Sequence, residues 1–126
     1  MSSKKKCLIV GASGGIGSAI TRKLAEKNYD LFLIGKNKNK LLKLKKEVEK
    51  ESINVEIESV DLTNEKQIER SIKKVRKIFG KIDILINTPG SFLIKSIDKT
   101  TIKEFDEIFK INVRAPFIFS KKFSKD

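Results

Sequence analysis

Gly11-Ala12-Ser13-Gly14-Gly15-Ile16-Gly17 follows the apolar run Cys7-Leu8-Ile9-Val10 and leads into Ser18-Ala19-Ile20-Thr21-Arg22-Lys23-Leu24-Ala25, a stretch with helical spacing. A strand, a glycine turn and a helix start, in that order, make an anion site. The turn's N–H groups and the positive end of the helix dipole face the same point. Glycine tolerates positive φ there and carries no side chain to block a pyrophosphate. Gly11, Gly15 and Gly17 within one such turn, opening a helix, favour phosphate binding over a simple change of direction.

Outward from that turn, strand and helix signals alternate. Cys7–Val10 and Leu31–Ile34 are uninterrupted apolar strands, Val55–Val60 alternates like a half-exposed edge strand, and Ile82–Ile86 supplies a fourth. The spacing predicts helices over Ile16–Lys27, over Asn39–Glu51, and from a cap at Thr63 or Asn64 to Phe79, ended by Gly80. Their expected inward residues are Ile16, Ile20 and Leu24 in the first; Leu41, Leu42, Leu44 and Val48 in the second; and Ile68, Ile72, Val75 and Phe79 in the third. A helical stretch runs from Thr100 through Ile111, and another begins near Ala115-Pro116, where proline suits a first turn. Apolar strands without alternation imply a parallel sheet covered on both faces, and repeated strand–helix–strand units imply a doubly wound α/β fold. With no repeat, low-complexity tract or linker, residues 1–126 read as a single domain.

Composition narrows the class. A hydrophobic fraction of 39% beside a charged fraction of 35% fits a soluble globular protein and excludes disorder. Cys7 is the single cysteine, lies in the first apolar run, and reads as a packing residue. With one Cys and no His, ordinary zinc spacing is excluded. The basic leader Met1–Lys6 imitates a secretion signal, but the apolar run after it is too short and breaks at Gly11. No segment approaches the roughly 20 apolar residues of a membrane helix, so a cytoplasmic location is the default expectation. The formal charge of +12 invites a nucleic-acid reading. The lysines, however, are interleaved with Glu47, Glu49, Glu51, Glu65 and Glu69 as on solvated helix faces, and no aromatic–basic pattern for base stacking occurs. Specific nucleic-acid binding is not expected; sequence-blind attraction through charge remains an alternative.

Four markers in register now resemble the N-terminal half of the short-chain dehydrogenase/reductase family, along essentially the whole chain. Gly11, Gly15 and Gly17 match that family's G-x-x-x-G-x-G turn, with Ser13, Gly14 and Ile16 as the intervening contacts. Asp61-Leu62-Thr63 resembles the aspartate segment after the third strand that meets the adenine ring. Asn87-Thr88-Pro89-Gly90 resembles N-N-A-G after the fourth strand, with Asn87 and Gly90 retained. Asn112 resembles the asparagine of the family's catalytic tetrad. The resemblance implies a Rossmann-like fold, a nicotinamide cofactor, and hydride exchange with a small carbonyl or alcohol. Three departures stand out: Val10 in place of a frequent threonine, and Thr88 and Pro89 in place of asparagine and alanine. Pro89 has no N–H to offer at that point.

An acid ending the second strand would bond the ribose 2′- and 3′-hydroxyls and select NAD. Gly35, Lys36 and Asn37 stand there instead. Gly35 removes the repulsion of a carboxylate, and Lys36 offers an ammonium to a 2′-phosphate. NADP is therefore expected over NAD. Carbonyl reduction in the family uses a tyrosine acid with a lysine four residues later, and a serine. The single tyrosine here is Tyr29, with Leu33 four residues on. The expectation is a fold cut short after the fourth strand and its following helix, non-catalytic by itself, whose last segment (Phe117, Ile118, Phe119, Phe123) exposes apolar surface and promotes self-association. A non-catalytic NADP-binding module or sensor is the alternative.

Overall fold

The chain runs β1 (Lys6–Val10), α1 (Gly15–Glu26), β2 (Asp30–Gly35), α2 (Lys38–Val48), β3 (Val55–Ser59), α3 (Glu65–Phe79) and β4 (Ile84–Asn87), then α4 (Ile102–Phe109) and α5 (Ala115–Phe123). This computed structural model describes residues 4–126, so Met1, Ser2 and Ser3 of the basic leader lie outside the described residues. The four strands form one parallel sheet in the order β3-β2-β1-β4. β3 is an edge strand, as its alternation implies. The strand order reverses between β1 and β4, and in open α/β sheets such a reversal opens a crevice at the carboxyl ends of the strands.

Adjacent residues of one strand point to opposite faces, and each face carries an apolar layer. Leu8 and Val10 of β1 join Phe32 and Ile34 of β2 under α3 and α5, with Ile68, Ile72, Val75, Phe79 and Phe119 completing that layer. Cys7, Ile9, Leu31 and Leu33 face the other way, against Ala25, Leu41, Leu44 and Val48 of α1 and α2. Burial pushes the Cys7 thiol up to about 12, aided by Asp83 and Asp30, so it stays a thiol at neutral pH.

Two helices differ from their sequence patterns. The inward residues of α1 are Gly17, Thr21 and Ala25, whereas Ile16 is 73% exposed and Ile20 and Leu24 are half-buried. Close approach of α1 to β1 is the cause: only small residues fit on that line. In α2, Leu42 points outward, and the helix starts at Lys38 and stops at Val48, earlier than expected at both ends. Asn37 sets its start, accepting the Lys40 amide at 3.0 Å. Asn64, rather than Thr63, caps α3 by accepting the Gln67 amide at 3.1 Å. β4 begins at Ile84; Ile82 is buried just before it.

The last two helices are one continuous run through a π turn at Lys110–Arg114. Pro116 explains the extra residue. It has no N–H for the carbonyl of Asn112, and its ring crowds that carbonyl, so the backbone widens. α4 opens with a reciprocal cap: Thr101 Oγ1 accepts the Glu104 amide at 3.1 Å, and Glu104 accepts the Thr101 amide at 3.0 Å. The Thr101 amide, then Lys95 and the Thr101 hydroxyl, bring the Glu104 carboxyl down to about 2. Since this lies below the ordinary 4.5, the cap contributes fully above pH 4.5 and loses its contribution as pH falls toward 2. The gap in thermal midpoint between wild type and Glu104→Gln should hold above pH 4.5 and close near pH 2. A gap independent of pH would contradict this account.

Of the apolar surface expected in α5, Phe117 is exposed while Phe119 and Phe123 are buried against the sheet. More lies elsewhere: Phe92, Ile94 and Ile97 of the loop after β4, with Ile102, Phe105 and Phe109 of α4, are exposed. No helix among the described residues is long and apolar enough to cross a membrane.

Candidate functional site

The glycine turn is fixed by backbone bonds to β2. Gly11 and Ala12 donate their amides to the Ile34 carbonyl at 2.8 and 2.9 Å. Gly11 has φ +90°, where glycine is favoured, and a Cβ on it would stand 2.7 Å from the Pro89 nitrogen. Gly17 is required by proximity: its Cβ would lie 2.1 Å from the Gly11 carbonyl oxygen. Gly15 differs from both, because a Cβ there would meet no protein atom within 4 Å. Protein packing does not demand that glycine, whereas an anion approaching the backbone would. The α1 N-terminus has no side-chain cap and no acid in its first turn among the described residues. Its leading amides are thus left to solvent or to an anion, and the dipole favours the anion.

The turn after β4 closes over Gly11. Thr88 donates its amide to Val10 O at 2.8 Å, and its hydroxyl lies 2.9 Å from Val10 O and 3.2 Å from Gly11 O. Thr88 thus spends its hydroxyl on the end of β1, holding the two turns together beside Pro89. Asn87 points to α5, donating to Ser120 Oγ at 3.2 Å, and Gly90 is exposed.

At the ends of β2 and β3, Lys36 is exposed and its carbonyl accepts Ser59 Oγ at 2.8 Å. Asn37 is occupied in capping α2 through Oδ1. Asp61 Oδ1 accepts the Thr63 hydroxyl at 2.7 Å and the Thr63 amide at 2.9 Å. Those two bonds, with a smaller push from the Lys36 charge, hold the Asp61 carboxyl below the usual range and keep it ionised. Its Oδ2 takes part in neither bond.

These elements enclose a cleft of 530 Å³ above the β1–β4 reversal. Gly11, Ser13, Gly14, Lys36, Asp61, Leu62 and Gly90 line it together. Gly15, Ile16, Gly17, Asn37 and Asn87 lie outside its lining: Gly17 beneath the turn, Ile16 and Asn37 at exposed helix starts. Thr88, Ser91, Glu107 and Ile111 line it without having been singled out as contacts. Thr88 was visible as a departure inside a motif. Ser91 and Glu107 carried no signal, since the loop after β4 and α4 bring them in.

Asn112 sits in the π turn and pairs both ends of its amide with one residue. Its Oδ1 accepts the Ser91 amide at 2.8 Å, and its Nδ2 donates to the Ser91 carbonyl at 2.7 Å. That side chain ties the π turn to the loop after β4 at the rim of the cleft. No cluster of three or more His, Cys, Asp or Glu able to hold a metal occurs among the described residues.

The family profile described as short chain dehydrogenase matches residues 5–126. The chain belongs to that family. It is similar to an uncharacterised oxidoreductase of Staphylococcus aureus (strain USA300), with 32% identity over 110 residues, covering 87% of this chain and 47% of the relative. Among solved structures, an alcohol dehydrogenase from the archaeon Thermococcus sibiricus, complexed with 5-hydroxy-NADP, matches with TM-score 0.90 and 30% identity over 98% of this chain and 53% of its own. A blue fluorescent protein from a metagenomic library, in complex with NADPH, matches with TM-score 0.89 and 27% identity over 97% of this chain and 51% of its own. This short-chain dehydrogenase chain spans about half the length of the relatives it matches.

Proposed function

We propose that this chain is the cofactor-holding part of an NADP(H)-dependent oxidoreductase acting on a small carbonyl or alcohol. The observation that carries the reading is the cleft itself. The glycine turn leading into an uncapped helix N-terminus forms one wall, and Gly35 with Lys36 forms another, where NAD selection would want a carboxylate. The open space at Gly15 fits close backbone approach by a pyrophosphate. Gly15, Ile16 and Gly17 present the amides at the helix start, Gly14 closes the turn by donating to the Gly11 carbonyl at 3.2 Å, and Ser13 adds a hydroxyl. Lys36 takes the 2′-phosphate, with Asn37 beside it. Asp61 and Leu62 border the adenine and Gly90 the second ribose, while Asn87 stands behind the lining and holds Ser120 of α5. Asn112 is a positioning residue, holding Ser91 at the rim. When bound, the nicotinamide supplies or accepts the hydride. The proton acid of carbonyl reduction is absent from these 126 residues, since Tyr29 has no lysine four residues on. In this reading the parent protein supplies it, as relatives of twice the length have room to do.

Titration by nicotinamide fluorescence tests the cofactor role. NADPH should bind more tightly than NADH. Lys36→Ala should weaken NADPH about tenfold, the size of one exposed charge-assisted contact, and leave NADH unchanged. Equal affinity for the two nucleotides removes the NADP assignment. No binding of either removes the cofactor role.

A further inference from the structure

We infer that Ser13 and Gly35 are interlocked, so that the size of residue 35 decides where the Ser13 hydroxyl points in the cleft and hence which nucleotide the cleft accepts. The inference rests on the cleft being a dinucleotide site. Gly35 ends β2, pairs with Ser59, and accepts the Val60 amide at 2.9 Å. Its φ lies outside the left-handed region, unlike those of Gly11 and Gly80, so conformation does not call for glycine. Space does. A Cβ at position 35 would stand 2.6 Å from Ser13 Oγ, 3.2 Å from Ser13 Cβ and 3.2 Å from Leu41 Cδ2.

The neighbours have few ways to yield. Leu41 is fully buried in the layer under α2. The turn carrying Ser13 is held to β2 by the Gly11 and Ala12 amides on the Ile34 carbonyl. The freedom left is rotation of the Ser13 side chain, which lines the cleft with Lys36. Any side chain at position 35 therefore drives a hydroxyl out of its seat against β2. A carboxylate at position 35 is the obvious change toward NAD(H), because it would bond the ribose hydroxyls. In this chain that carboxylate arrives together with a displaced serine, and the switch requires relief at position 13.

The test is a double-mutant cycle on the full chain, read by thermal midpoint without nucleotide and by NADPH and NADH titration. Gly35→Ala should lower the midpoint in the wild-type background and lower it much less in the Ser13→Gly background. Gly35→Asp alone should lose NADPH without gaining NADH. Ser13→Gly with Gly35→Asp should bind NADH about tenfold more tightly than Gly35→Asp alone, a coupling within the range of contacting residues. Equal effects of Gly35→Ala in both backgrounds would overturn the interlock. So would NADH binding by Gly35→Asp that matches the double variant. Equal NADPH and NADH affinity in the wild type would remove the NADP assignment instead, and the nucleotide-free midpoints would still decide the interlock.

Discussion

Gly17→Ala should lower stability by about 3 kcal/mol, the upper end of what one inserted methyl costs in a tight site. The new carbon would lie 2.1 Å from the Gly11 carbonyl oxygen, 2.8 Å from its carbon and 2.9 Å from Ala12 Cα. All three are backbone atoms, and none can rotate away. The Gly11 carbonyl also accepts the Gly14 amide at 3.2 Å and the Thr88 hydroxyl at 3.2 Å, so moving it disturbs both turns of the cleft. The other escape is for α1 to lift from β1, which opens the layer around Ala25 and Ile9. Against a typical stability of about 5–15 kcal/mol, such a loss lowers the thermal midpoint by about 10–15 °C. Nucleotide affinity should fall with it. Gly15→Ala separates the two effects. Its Cβ meets no protein atom, so the midpoint should hold or rise slightly while nucleotide binding weakens. A Gly17→Ala midpoint within 2–3 °C of wild type, about 1 kcal/mol or less, would mean that α1 does not sit this close to the Gly11–Ala12 turn.

That contrast also explains which parts of the fold were legible. Short uninterrupted apolar runs such as Leu31–Ile34 are too brief for a buried helix and read as strands buried on both faces, and the i, i+4, i+7 spacing of Ile68, Ile72 and Val75 admits one inward face for α3. The same logic fails for α1. Ile16 and Ile20 look like a core stripe, but the helix is held too close to β1 for large side chains, and Gly17, Thr21 and Ala25 take the inward line. Periodicity reports apolarity, whereas contact distance is set by the partner element. The cleft shows the same division. Gly11, Asp61 and Gly90 were legible because each follows a strand at the sheet's carboxyl edge. The capping duty of Asn37, the pairing of Asn112 with Ser91, and the bond of Thr88 to Val10 were not. Each depends on a polar group finding a partner, and in two of the three that partner is 21 or more residues distant.

Phe119→Ala should be the most damaging single truncation in the second half of the chain, at about 3–5 kcal/mol for a buried phenylalanine. Phe119 is 0% exposed and belongs to the layer of Leu8, Val10, Ala115 and Phe123 beneath the sheet. Neighbouring Phe117, two residues away on the same helix, is 63% exposed. Phe117→Ala should therefore stay within about 0.5 kcal/mol of wild type, and the pair forms an internal control for which face of α5 docks. The consequences of Phe119→Ala extend to the cleft. Ser120, the next residue, holds Asn87 at the end of β4, and the π turn that leads into α5 carries Asn112, which holds Ser91. Loosening α5 should therefore weaken nucleotide binding as well as lower the midpoint. Arg76, which stacks on Phe123 at 4.4 Å and donates to the Lys122 carbonyl at 2.8 Å, keeps the far end of the helix in place. The damage should accordingly concentrate at the cleft end, readable as faster amide exchange at Ser91 and Asn112 than at Phe123. Equal costs for Phe117→Ala and Phe119→Ala would show that α5 docks by a different face.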